Sequence, residues 1–127
     1  MRNYRDLNIW VKSHQLNLTI RKNIVQHLPS EEKFVLGSQL SRAALSVPLN
    51  IVEGCSRDSK KDFVRFLEYS IGSLLETQYC CLLAKELNYI SIELFNEIDD
   101  NITQLLKMIN SFIQSLKQFI NEKRPKT

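Results

Sequence analysis

Three observations predict an all-α protein folded as an antiparallel up-down-up-down four-helix bundle. Gly and Pro supply only three residues each among 127, too few for the turns a β sandwich or barrel requires. Apolar residues recur at three- and four-residue spacing through four long segments. The connections between them are short, which sets neighbouring helices antiparallel. At this length one hydrophobic core suffices without metal or disulfide, and no low-complexity linker interrupts the chain, so residues 1–127 read as a single domain.

The first segment runs from about Asp6 to Leu28 and is closed by Pro29. Leu7, Val11, His14, Leu18, Val25 and Leu28 form its stripe, widened by Trp10, Ile20 and Ile24. "LNLTI" (Leu16 to Ile20) alternates as a strand would, but the length of the segment favours helix. His14 reads as a core or interface histidine, because no Cys or carboxylate is spaced to join it as a ligand.

Ser30 is placed to cap the second segment, with Glu31 and Glu32 in a first turn that favours negative charge. Leu36, Leu40, Ala43, Ala44, Val47 and Ile51 form its apolar face. Pro48 cannot donate to the carbonyl of Ala44, which predicts a bend, and Gly54 is expected to end the helix in a left-handed conformation. Ser59 and Asp62 then form a capping box that opens the third segment. Phe63, Phe66, Leu67, Ile71, Leu74, Cys81 and Leu82 face inward. Gly72, beside Ser73, costs roughly 1 kcal/mol at mid-helix relative to alanine, and close backbone packing is the expected compensation.

Beyond the turn at Asn88 to Ser91 comes the clearest periodicity: Phe95, Ile98, Ile102, Leu105, Ile109, Phe112, Leu116 and Phe119. Leu106, Ile113 and Ile120 make a second row beside it. Two rows require either a central position in the bundle or burial between subunits. From about residue 120 the charged tail, with Pro125, is expected to fray.

The net charge of +3 is unevenly spread, with eleven Lys or Arg against six Asp or Glu up to Arg65, and six against eight thereafter. Glu86, Glu93, Glu97, Asp99 and Asp100 form an acidic run, whereas Lys117, Lys123, Arg124 and Lys126 make a basic end. No apolar run approaches a membrane span and the N-terminus does not read as a signal peptide, so a cytoplasmic, non-membrane protein is expected. Cys55, Cys80 and Cys81 are odd in number and lack a metal-binding spacing; reduced thiols are the expected state.

No Gly-rich phosphate loop, no Gly-x-Ser-x-Gly elbow and no Glu-x-x-His pair is present, so neither an enzyme nor a metal or other cofactor is expected. Arg42, Asn50, Glu53, Ser73 and Glu76 read as a structural polar network shaping the kink and turn, with Arg42 as the partner that lets Glu53 and Glu76 sit on helices. Arg57, Lys60, Lys61 and Arg65 lie within about two helical turns beside a helix N-terminus, and are the candidates for phosphate contact.

"SQLSRAALSVPLNIVEGCSRDSKKDFVRFLEYSIGSLLETQ", Ser38 to Gln78, closely resembles the small bacterial four-helix-bundle proteins encoded by intervening sequences of 23S ribosomal RNA genes. "YRDLNIWVKSHQL" (Tyr4 to Leu16) and "LLAKELNYIS" (Leu82 to Ser91) extend the resemblance over nearly the whole chain. Its pattern is met at Arg42, Pro48, Asn50, Glu53, Gly54, Arg57, Ser59, Phe66, Leu67, Gly72, Ser73 and Glu76, and departed from at Leu49, Val52 and Cys55. The accessory variability protein of diversity-generating retroelements is a relative of that family. The resemblance therefore implies a homopentamer that binds RNA or DNA and a partner protein such as a reverse transcriptase. The sequence reading is thus a non-enzymatic, homo-oligomeric, nucleic-acid-associated accessory factor. Its rivals are a protein-binding scaffold using the second apolar row and the acidic patch, and an enzyme using Glu53 or Glu76.

Overall fold

The computed structural model describes residues 2–122. Among them are four α-helices: α1 (Asn8–Asn23), α2 (Leu36–Cys55), α3 (Lys60–Glu86) and α4 (Ile92–Glu122). Short 3-10 turns at Tyr4–Asp6, Val25–His27 and Ser30–Glu32 complete the order, and no strand occurs among the described residues. Ile20, Ile24, Leu40, Val47, Ile51, Leu67, Leu74, Ile98, Ile102, Leu105 and Ile109 are fully enclosed between the four helices.

Helices α2 and α3 form the most intimate pair. Ser70 Oγ donates to the Val47 carbonyl at 2.8 Å, Ser73 Oγ to Ser46 Oγ at 3.0 Å, and Gln39 Nε2 to Glu76 Oε2 at 3.2 Å. Residue numbers thus rise along α2 as they fall along α3. Helix α4 joins α3 through Gln78 Nε2 to Asp99 Oδ1 at 2.9 Å, and α1 through Lys12 Nζ to Gln104 Oε1 at 3.0 Å.

Helix α1 departs from the stripe read in the sequence. Its buried residues are Ile9, Ser13, Leu16 and Ile20, while Leu18 is exposed and His14 lies half-buried, stacked on Trp10 with ring centroids 4.9 Å apart. Apolar residues nearly encircle this helix, so periodicity alone does not choose a face. Ser13 made the true face look polar, yet its hydroxyl donates to the Trp10 carbonyl at 2.9 Å and is thereby accommodated in the core. The helix also ends at Asn23, five residues short of Leu28, where Ile24 leads into a 3-10 turn.

Helix α2 starts later and ends differently from expectation. Ser30 opens only a 3-10 turn, and the α-helix begins at Leu36 after exposed Phe34 and Val35. The helix runs through Pro48 and Gly54 to Cys55. Gly54 has no positive φ. Its role is steric: a Cβ there would lie 2.7 Å from Phe63 Cδ1. The glycine lets α3 begin against α2, which is a packing requirement and not a conformational one.

The third helix starts as read, with Ser59 Oγ accepting from the Asp62 amide at 3.0 Å. It ends in a left-handed Asn88 (φ 64°), with Tyr89 N–H bonded to the Ala84 carbonyl at 2.8 Å and Asn88 N–H to Lys85 at 2.9 Å. Ser91 Oγ then caps α4 through the Leu94 amide at 3.1 Å. Gly72 is exposed, and a Cβ built on it would meet nothing within 4 Å. The close packing expected there is not made within this chain.

The seam of α4 is buried at Ile98, Ile102, Leu105, Ile109 and Leu116, with Phe119 exposed at its end. The second row is absorbed by the same chain: Ile113 is buried and Leu106 and Ile120 pack on the core. Asn121 and Glu122 of the tail are still helical, and residues 123–127 lie outside the described residues.

Candidate functional site

The four basic residues singled out in the sequence do come together, at the end of the fold where α2 stops and α3 starts, but in two chemical states. Arg57 donates to Glu53 Oε1 at 2.6 Å and Arg65 lies 3.4 Å from Asp62 Oδ1. Both pairs are solvent-exposed and join residues three or four apart in the chain, and are worth at most about 1 kcal/mol each. Lys60 and Lys61 have no ion-pair partner among the described residues.

Aromatic rings position most of these cations. Arg57 and Arg65 guanidinium carbons lie 4.8 and 5.3 Å from the Phe66 centroid, and Lys60 Nζ lies 4.5 Å from that of Phe119. The fold adds two basic residues that sequence reading did not join to this cluster. Arg2 stands 5.2 Å from the Phe112 ring and lines a small hollow with Arg57, Ser59 and Lys60. Lys117, on α4, lines another with Lys61. Only tertiary structure could bring either one here.

The expected polar network is three separate contacts, and its hub was not foreseen. Ser46 accepts from Asn50 Nδ2 at both its carbonyl (2.8 Å) and its Oγ (3.0 Å), and receives Ser73 as well. Glu76 takes Gln39, and Glu53 takes Arg57. Arg42 is exposed and makes no hydrogen bond or ion pair among the described residues, so it is not the partner of either carboxylate. Glu53, in the last turn of α2, and Arg57, just beyond its end, lie four residues apart and offered a shorter solution than a cross-helix bridge.

All three thiols are buried. Burial pushes the Cys55 and Cys80 thiols up, and Cys81, further opposed by Cys80 and Asp99, is pushed up to about 12. Among the described residues, no group of three or more His, Cys, Asp or Glu side chains is arranged to hold a metal ion, and no helix is long and apolar enough to cross a membrane.

A second surface runs along the outer side of α2 and α3. Leu45, Leu49, Tyr69, Leu75 and Tyr79 are all exposed there, Leu49 by 53% and Tyr79 by 62%. The Ser46–Ser73 bond sets Leu45 and Leu49 level with Gly72 and Tyr69 across the helix pair. Arg42 and Glu76 share this face.

Fold and surface together define a class: a small four-helix protein with a cationic end and an uncovered apolar face on α2 and α3. The chain belongs to the 23S rRNA-intervening sequence protein family, whose model matches residues 5–111. It is also similar to a crystal structure from Bacteroides thetaiotaomicron, described as a protein with unknown function from the S23 ribosomal protein family. That similarity has a TM-score of 0.76 at 26% identity, and covers 83% of this chain and 97% of the other. A search of curated proteins finds no match.

Proposed function

We propose that the chain is an up-down-up-down bundle that forms a homo-oligomer in the cytoplasm and serves as a non-enzymatic accessory factor, contacting RNA or DNA phosphates through its basic end. The observation that carries this reading is the convergence of Arg2, Arg57, Lys60, Lys61, Arg65 and Lys117 from four parts of the chain. One copy offers few phosphate contacts, each weak and salt-sensitive; several copies would repeat the cluster on one assembly. Support for assembly comes from the apolar α2–α3 face, where Gly72 leaves room for an approaching backbone. The pentamer and the reverse-transcriptase partner implied by the sequence resemblance are the first stoichiometry and the first protein partner to test.

The experiment is fluorescence anisotropy of labelled structured RNA and duplex DNA at two salt concentrations, with assembly mass measured in parallel. Wild type is expected to bind and to weaken as salt rises. Lys60→Glu combined with Lys61→Glu is expected to lose at least tenfold in affinity at the same mass and to show a shallower salt slope, by about one to two. Absence of binding by an assembled wild type overturns the reading. The same apolar face then favours a protein-binding scaffold, for which partner capture would be salt-insensitive and indifferent to these two lysines.

A further inference from the structure

Between the first turns of α3 and the last turns of α4 lies an open hollow of about 260 Å³, lined by Lys61, Val64, Lys117, Ile120 and Asn121. We infer that this hollow receives one unpaired nucleotide, its base on the Val64–Ile120 floor and its flanking phosphates on Lys61 and Lys117. The inference rests on the phosphate-binding reading above and narrows it to single-stranded nucleic acid.

Three properties of the hollow, taken together, favour that occupant. Its floor is apolar: Val64 is buried and Ile120 half-buried against the core. Two lysines from different helices stand at its rim, and neither is ion-paired among the described residues. Asn121 adds an amide, which can both donate to and accept from a base edge. A free inorganic anion would satisfy the lysines and leave the floor unused. An apolar side chain would fill the floor and leave two cations without counter-charge. A nucleotide presents a flat apolar face, a polar edge and anionic groups on either side, and so matches all three.

A duplex cannot make the same fit, because its bases are stacked and paired and must be extruded before one can reach a lateral hollow. Single strands offer a base face at each residue, and resting it on an apolar surface adds an attraction that phosphate contact alone does not supply. The lysines act on either form; the floor acts only on the unpaired one.

The test compares labelled 12-nucleotide single-stranded RNA, single-stranded DNA and the corresponding duplexes, binding to the full chain at fixed salt. Single strands are expected to bind at least about fivefold more tightly than duplex. Ile120→Gln is expected to remove most of that preference while leaving duplex affinity unchanged, and Lys117→Glu to weaken both forms. Asn121 is exposed, so Asn121→Ala, which does not disturb the core, provides a second variant: it is expected to lower single-strand affinity alone. Equal binding of strand and duplex, or single-strand affinity unmoved by both Ile120→Gln and Asn121→Ala, overturns the inference while the phosphate reading stands. Failure of every nucleic acid to bind overturns both. The RNA and DNA arms identify which sugar the site accepts, and preference for either strand over its duplex supports the proposal.

Discussion

Cys81 shows how much a single enclosed group can weigh. Its thiol is pushed from 9.0 to about 12, chiefly by burial, and so stays protonated in the folded chain under conditions where the unfolded chain ionises. A group whose folded value is raised stabilises fully below its unfolded value and loses that contribution as pH climbs towards its folded one. Stability is therefore expected to fall between about pH 9 and 12, with a Cys81 share on the order of 4 kcal/mol at the upper end. Denaturant unfolding across that range should show a flatter profile for Cys81→Ala than for wild type; parallel profiles would refute the assignment. At the same scale, that Cys80 and Cys81 are adjacent was visible in the sequence, but their burial together was not. Adjacent helical residues point about 100° apart, and only the width of the α3 contact shows that both are covered.

At the scale of elements, the two helical glycines of the α2–α3 pair are opposites. Gly54 sits where any Cβ collides with Phe63, so Gly54→Ala is expected to destabilise by about 1–3 kcal/mol. Gly72 faces open space, so Gly72→Ala should add up to about 1 kcal/mol through helix propensity when measured at concentrations below assembly. Chemical denaturation of both variants checks the contrast, and a Gly54→Ala protein as stable as wild type would contradict the packing account. Both glycines were legible as special, but the close packing expected at Gly72 is made at Gly54, and neither has a left-handed backbone. A sequence shows where a side chain is missing, not what occupies the space. The α4 seam was readable because its apolar rows repeat without interruption over a long helix, and Ser59 because an N-cap is a local signal, although the Asp62 carboxylate turns to Arg65 and does not complete the expected box. Helix α1 was misread because its burial depends on which side the other helices occupy, and Ser13 disguised that side.

For the molecule as a whole, the basic residues read together in the sequence do lie at one end of the fold, but the cationic surface extends beyond them. Arg57 to Arg65 are neighbours in the chain, whereas Arg2 and Lys117 join them only through folding. The apolar surplus was placed on α4 by periodicity, yet α4 packs most of both rows on its own core, and a contiguous group of uncovered residues lies on α2 and α3 instead. Leu49, 53% exposed, is part of that face. If copies meet there, Leu49→Glu should shift the assembly towards monomer by at least tenfold in dissociation constant, without lowering helical content. Sedimentation and circular dichroism on the same samples provide the check; an unchanged mass would exclude this face from assembly.

The ion pairs at the basic end have a further consequence, one of competition. Glu53 is tethered four residues from Arg57 and Asp62 three from Arg65, so each carboxylate competes for its arginine at an effective concentration of about millimolar or more. A small anion must outcompete that tethered rival one site at a time. A strand carrying many phosphates can displace both carboxylates in one encounter while also reaching the unpaired lysines. If this end contacts phosphates, the built-in pairs would weaken capture of a single anion by at most about fivefold at each arginine, a handicap that a polyanion reaching the unpaired lysines in the same encounter would feel less.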